Sequence, residues 1–369
     1  MRLTLGRVLL LAAGGVALAA LVVWSGVFRI AASSGHWDIT DWLLHTAMRR
    51  SVSTWSMGIE APPLDDPALV HRGAGHFASS CAPCHGAPGT PPSAVAQRMT
   101  PHPPGLADRI DEWKPGELFW IVMHGVKFTG MPAWPAQGRD DEVWAMVAFL
   151  LELPRLDAER YRVLAFGEAS GADADAIAGL GADAVRQCVR CHGQDGAGRG
   201  NGAFPILTGQ SEAYLLASLQ AYATGARRSG FMRPMAELLS PAEMRAFARH
   251  FAEATPRAAR RDHEPSTDPE TLRRGEAIVT RGVPGEGIPP CASCHTADGE
   301  RRYPVYPLLA GQHAGYIVDQ LGAFRKGARG GTPFAHIMAT IAERLTDRQI
   351  RDAAAYLASL GPEKGGLRR

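Results

Sequence analysis

The apolar positions of this chain change period along its length. From Val8 to Phe28 no charged residue occurs. At about 1.5 Å per residue that run spans the roughly 30 Å of bilayer hydrocarbon, so it predicts one membrane-crossing helix. Arg2 and Arg7 precede it and predict a cytoplasmic amino end, with everything downstream carried across the membrane. A cleaved signal peptide is the alternative. Its small-x-small site, Ala17-Leu18-Ala19, lies inside the apolar run rather than at its end, which favours the uncleaved anchor. Downstream the pattern takes the period of amphipathic helices. Asp38 to Trp55 reads as a helix with Trp37, Trp42, Leu43, Leu44, Met48 and Trp55 as its apolar positions. Leu69–Ser80, Glu117–Met123, Asp140–Leu153, Pro241–Ala254, Tyr316–Phe324 and Asp347–Leu360 read likewise. The expected fold class is all-α.

Proline, glycine and small polar residues divide these elements. Pro62-Pro63-Leu64-Asp65-Asp66-Pro67 reads as a stiff linker. Leu156 to Ala184, rich in Ala, Gly and Asp, reads as a second, and Thr255 to Asp268, with Arg257, Arg260 and Arg261, as an exposed connection. The expected organisation is an anchor over 1–30, a juxtamembrane helix and linker over 31–65, and three small domains over 66–156, 180–256 and 270–362. Glu363 to Arg369 is charged and cannot span a bilayer. The juxtamembrane helix suits the membrane interface, the surface of the first domain, or a docking partner.

Composition adds one constraint. The formal net charge of +2 over 369 residues, with no basic run interleaved with aromatics, leaves no footprint for nucleic acid.

The chemistry lies in the cysteines. All 6 fall in three copies of one motif: Cys81-Ala82-Pro83-Cys84-His85, Cys188-Val189-Arg190-Cys191-His192 and Cys291-Ala292-Ser293-Cys294-His295. Cys-x-x-Cys-His is the attachment sequence of c-type haem, two thiols bonding the porphyrin edge and the histidine binding the iron. Zinc knuckles pair off to give four ligands, and three knuckles do not. A thiol–disulfide pair has no need of the adjoining histidine. Three covalently bound haem c groups are expected. In bacteria such haem is attached outside the cytoplasm, in agreement with the anchor. The expected location is the bacterial inner membrane, single-pass, with the haem domains in the periplasm.

The second and third domains repeat one another. Gly209-Gln210, Tyr214, Leu219, Tyr222, Gly225, Ala226 and Arg227 return at a constant offset of 102 residues as Gly311-Gln312, Tyr316, Leu321, Phe324, Gly327, Ala328 and Arg329. Past a four-residue insertion, Leu239-Ser240 matches Leu345-Thr346. That alignment pairs Met338, the only methionine of the third domain, with Met232. Met235 aligns with Ile341 and Met244 with Ile350, both apolar positions. Met232 and Met338 are therefore favoured as the second axial ligands, with Met235 and His336 as alternatives. Arg227 and Arg329 recur before the two methionines, as partners for haem carboxylates or as helix-end caps.

The first domain resembles class I cytochromes c. The resemblance rests on Gly130-Met131-Pro132 within the loop His124 to Trp134, 46 residues after His85. It implies two helices crossing over the haem and Met131 as the sixth ligand. Met99, Met123, Met146 and His124 remain formal rivals. Ala184 to Pro362 resembles the two-domain dihaem cytochromes c of bacterial periplasms, through Pro307-Leu308-Leu309-Ala310-Gly311-Gln312-His313 and Met338 followed by Ile341-Ala342 and Leu345-Thr346-Asp347. The whole plan resembles the trihaem cytochrome subunits of membrane-bound alcohol, aldehyde and gluconate dehydrogenases, although those anchor at the carboxyl end.

Histidine and methionine on every iron leave no open position for substrate, and methionine raises the potential. The chain is expected to be an electron carrier and not an enzyme. It would relay electrons from a membrane or periplasmic donor to an oxidase or soluble cytochrome, or serve as the cytochrome subunit of a dehydrogenase. A peroxidase-like enzyme would require one haem to lose its distal ligand.

Overall fold

The computed structural model describes residues 4–27, 29–167, 181–199, 202–254, 268–295 and 303–360. Among these residues every regular element is helical and there is no β-strand. Of the exposed connection expected over Thr255 to Asp268, residues 255–267 lie outside the described residues, as does the carboxyl end from 361.

Helix α1 (Leu5–Trp24) is the one described helix long and apolar enough to cross a bilayer, with a mean hydropathy of 2.2. None of its side chains is covered by the rest of the chain. Helix α2 (Asp38–Trp55) follows. Its second half rests on the first unit: Val52 is fully buried, and Arg49 pairs with Glu112 at 2.6 Å while lying 4.7 Å above Trp113. Its first half projects, leaving Trp37, Ile39, Trp42, Leu43 and Leu44 exposed.

The first unit contains α3 (Pro67–Ser80), α4 (Ala82–His85), α5 (Pro115–His124), α6 (Asp140–Glu152) and α7 (Ala158–Phe166). Asp66 starts α3 by accepting from the Ala68 amide at 2.8 Å, with Pro67 in the first turn where no amide donor is needed. Helices α3 and α6 cross at Gly73, where a Cβ would lie 2.5 Å from that of Phe149. Phe77, Met146, Phe149 and Leu153 fill the core beneath. Helix α7 corrects the first part of the linker reading of Leu156 to Ala184; residues 168–180 of that stretch lie outside the described residues. Asp157 caps the helix, and Tyr161 and Ala165 bury against α3. The alanine-rich composition that marked a linker conceals an amphipathic turn up to Phe166.

The second unit has α8 (Ala182–His192), α9 (Glu212–Ala223), α10 (Met232–Glu237) and α11 (Pro241–Glu253). The third has α12 (Pro269–Arg281), α13 (Ala314–Arg325), α14 (Ala335–Arg344) and α15 (Asp347–Ser359). Their final helices begin on equivalent capping boxes, Ser240 with Glu243 and Thr346 with Gln349. The crossing of α12 with α15 repeats that of α3 with α6: a Cβ at Gly275 would lie 2.7 Å from that of Tyr356. Met232 and Met338 stand on short helices, α10 and α14, and not in open loops.

The repeated Gly-Gln pairs join the two units reciprocally. The Gln210 amide donates to the Leu308 carbonyl and accepts from its N–H, both at 2.9 Å. Gln312 does the same with Ile206, at 2.9 and 3.1 Å. Two buried amides thus satisfy two backbone segments that have no helical partner.

Candidate haem centres

Each Cys-x-x-Cys-His segment closes on itself. In the first, the Cys84 and His85 amides both donate to the Cys81 carbonyl, at 3.0 and 2.9 Å. In the third, Cys294 and His295 do so to Cys291, at 3.2 and 2.9 Å. The second forms the last turn of α8. One turn of chain thereby carries both thiols and the imidazole. Gly86 and Gly193 leave the first two segments at φ of 72° and 75°, a conformation that glycine adopts without strain.

All three histidines are held alike. His85 Nδ1 lies 2.9 Å from the Pro104 carbonyl, His192 Nδ1 3.2 Å from that of Pro205, and His295 Nδ1 2.9 Å from that of Pro307. Such an acceptor takes the Nδ1 proton and leaves the Nε2 lone pair for a metal. Burial lowers the basicity of each ring, opposed in part by the proline carbonyl, so the neutral, ligating form is favoured. These prolines escaped the sequence reading. Their signal is there: a Pro-x-Leu follows each motif, as Pro104-Gly105-Leu106, Pro205-Ile206-Leu207 and Pro307-Leu308-Leu309.

The thiols sit in apolar surroundings. Burial, with a neighbouring cysteine in each pair, pushes Cys81 and Cys188 up to about 12. Burial likewise raises Cys291 to about 11. A redox pair needs the thiolate, which this setting disfavours. Among the described residues, moreover, no three His, Cys, Asp or Glu side chains gather as a metal-binding group.

The second and third units share one apolar cavity. Cys188, His192 and Met232 line one part of it, and Cys291, Cys294, His295 and Met338 the other. Met235 does not line it, and Ile341, its repeat partner, does. His336 is exposed on α14. In the first unit Met131 is half-buried. Its amide is held by Thr129 Oγ1 at 3.1 Å and its carbonyl by the Val126 amide at 3.2 Å. Met99 lies against Gly130 of the same loop. Met123 and Met146 are buried in the core, and His124 ends α5 exposed, its ring 5.1 Å from Trp120.

The Arg227 amide donates to the Ala221 carbonyl in the last turn of α9 at 2.9 Å, while its guanidinium reaches the third unit. Arg227 is buried and Arg329 half-buried at the boundary between the second and third units, where their backbones form an antiparallel bridge. Each lies 4.5 Å over an aromatic ring of its own unit, Tyr222 or Phe324. Each also reaches across: Arg227 donates to Tyr316 at 2.9 Å and Gln320 at 2.7 Å, and Arg329 to Tyr214 at 3.0 Å. Among the described residues no carboxylate stands within ion-pair distance of either, and Arg227 Nε has no acceptor. Burial would raise the Tyr214 phenol, yet the two guanidiniums bring it below its ordinary value. A buried cation and a half-buried one side by side without an anion are costly. Both line the shared cavity, so the residues present fit a group that combines a large apolar body with carboxylates, as haem does.

Comparison with known proteins agrees. The family model described as cytochrome c matches residues 179–256 and 274–361. The model described as cytochrome c oxidase, cbb3-type, subunit III matches residues 68–150. A thiosulfate dehydrogenase electron acceptor of Thiomonas intermedia is 35% identical over 179 residues, covering 48% of this chain and 81% of the relative. Cytochrome c4 of Azotobacter vinelandii is 34% identical over 196 residues, covering 50% and 89%. The solved cytochrome c4 of Acidithiobacillus ferrooxidans is 36% identical, covers 47% of this chain and 98% of its own, and superposes with a TM-score of 0.40. With its helical units, its cysteine–histidine turns and these relatives, the chain belongs to the cytochrome c family, whose members carry covalent haem c and transfer electrons without catalysing a reaction of their own.

Proposed function

We propose that this chain is a membrane-anchored relay carrying three haem c groups, bound at Cys81 and Cys84, Cys188 and Cys191, and Cys291 and Cys294. His85 with Met131, His192 with Met232, and His295 with Met338 are the axial pairs. The observation that carries this reading is the threefold recurrence of one arrangement: a closed Cys-x-x-Cys-His turn whose histidine Nδ1 meets a proline carbonyl. When bound, each haem supplies a reversible one-electron couple. The protein's residues set its ligands and keep water from it, and they fix its neighbours. Histidine on one side and methionine on the other leave the iron no site for substrate. Arg227 and Arg329 neutralise haem carboxylates at the boundary between the second and third units.

Helix α1 spans the inner membrane and the three domains, over 66–156, 180–256 and 270–362, lie in the periplasm. Trp37, Trp42 and Leu43, exposed shortly after the span, rest at the bilayer surface. The relay takes electrons from a periplasmic or membrane donor and delivers them to an oxidase or a soluble cytochrome. A second reading, the cytochrome subunit of a dehydrogenase complex, is favoured by relatives described as thiosulfate dehydrogenase electron acceptors.

Intact-mass measurement of the purified protein tests the haem count. It should give the chain plus three haems, and the chain plus two when Cys188 and Cys191 are both replaced by alanine. A mass of two haems in the unaltered chain would sink the three-centre reading.

A further inference from the structure

The first unit lies against the second at the second attachment segment itself. Helix α3, which ends at Cys81, passes the thiol of Cys191 at Gly75. A Cβ added there would stand 3.2 Å from Cys191 Sγ and 3.1 Å from the Phe204 ring. Cys191 is packed with Ala68 of α3 and with Ala203 and Phe204 of its own unit. One residue further along α3, the buried His76 ring lies 5.1 Å from Trp134 and 4.9 Å from Phe231, the residue before Met232. Trp134 and Phe231 are 5.5 Å apart. The first unit thus touches both the attachment side and the methionine side of the second centre.

Polar contacts clamp this junction. Glu142 of α6, fully buried, accepts from Ser229 Oγ and the Gly230 amide, each at 2.6 Å, and from Trp134 Nε1 at 3.2 Å. It pairs with Arg139 at 3.0 Å, which also donates to the Arg228 carbonyl at 2.7 Å. From the other side, Arg199 donates to the Leu164 carbonyl of α7 at 2.9 Å. The first unit meets the third differently. Two ion pairs reach α13 and its C-cap, Arg72 with Asp319 at 2.8 Å and Asp140 with Lys326 at 2.9 Å. Neither involves the Cys291–His295 segment.

We infer that the second unit is the middle of the relay, and that electrons pass between the first unit and the tandem pair at the Gly75–Cys191 contact. This rests on the three-haem reading above. The step is a single electron transfer. The iron held by His85 goes from ferrous to ferric as the iron held by His192 goes from ferric to ferrous. No bond forms or breaks and no proton is required. Gly75 is a positioning residue: the missing side chain lets the backbone of α3, six residues from Cys81, touch a sulfur that is bonded to the second porphyrin. Trp134, His76 and Phe231 pack the remaining gap with rings rather than water.

The test uses the full-length, haem-loaded protein in detergent, carrying Met131→His to lower the potential of the first centre so that an electron placed there flows downhill. After flash reduction, the electron should leave the first centre and appear at the second before the third. Gly75→Leu, which wedges α3 away from Cys191, should abolish that fast phase. The haem count and the exchange between second and third centres should stay as they were. Arrival at the third centre first, or a fast phase untouched by Gly75→Leu, overturns the inference. Pulsed electron paramagnetic resonance on the oxidised protein gives an independent reading should Gly75→Leu fail to fold. The first and second irons must be closer together than the first and third, and the reverse order overturns the inference equally. If Met131→His lowers no potential, it is the axial assignment of Met131 that fails, and the iron distances still decide the wiring.

Discussion

Replacing Glu142 by alanine lowers stability by about 3–5 kcal/mol, the usual cost of breaking a buried charge pair by removing one partner. Arg139, Trp134, Ser229 and Gly230 converge on this one carboxylate. Burial pushes the carboxyl group's pKa up, and Arg139, Ser229 and Gly230 pull against it. The geometry favours the carboxylate, because the Gly230 amide, Trp134 Nε1 and the Arg139 guanidinium can only donate to it. Alanine leaves those donors buried and unsatisfied together, and Arg139 keeps only the partly exposed Asp141 and a carbonyl. Urea denaturation of the full-length protein, followed by tryptophan emission, should show the midpoint displaced. Glu142→Gln should fall in between, because its amide oxygen retains some of the bonds and its charge is gone. An unchanged midpoint for Glu142→Ala would mean that the junction between the first and second units contributes nothing to the fold.

Replacing Met232 by alanine makes one haem per chain bind carbon monoxide when reduced, while Met235→Ala binds none. Met232 begins α10, its amide tied to Ser229, and lines the cavity that holds His192 and Cys188. Met235 is one turn away and does not line that cavity. Loss of the thioether opens a coordination position and removes the ligand that holds the potential high. The affected centre should therefore fall by a sizeable share of the roughly 0.8 V that axial ligands command. Difference spectra of the two variants, with and without carbon monoxide, check this. The reverse result, with Met235→Ala opening a site, would exchange the two assignments.

What the chain revealed before its structure, and what it did not, divides on physical grounds. Apolar spacing predicted the helices over 38–55 and 140–153 because amphipathic period is local. Ser240 with Pro241 marks a helix start within a few residues, whereas Asp66 and Pro67, read as the end of a linker, in fact cap and open α3. The repeat pairs Met232 with Met338, and both line the shared cavity, whereas Met235 and its partner Ile341 differ, only Ile341 lining it. The histidine partners stayed hidden because the acceptor is a backbone carbonyl, which every residue possesses. Only the recurrence of Pro-x-Leu after each motif points to it. Glu142 is one of three acids opening α6, and nothing local distinguishes its buried carboxylate from the half-buried Asp140 two residues before it. Gly75 is a small residue that permits close packing, but its partner, Cys191, belongs to another unit 116 residues on, which the sequence does not show. Arg227 and Arg329 were visible as a repeat, and their crossing of the boundary was not, because it depends on how two copies face each other.

The central claim is that three haems are each closed by histidine and methionine. A potentiometric titration of the detergent-extracted protein, recorded by visible spectrum and followed by carbon monoxide on the reduced form, tests it most directly. The account predicts three c-type centres of high potential and no carbon monoxide complex. A haem that binds carbon monoxide, or one that titrates far below the others, would contradict it and bring a ligand-exchanging or catalytic centre to the front.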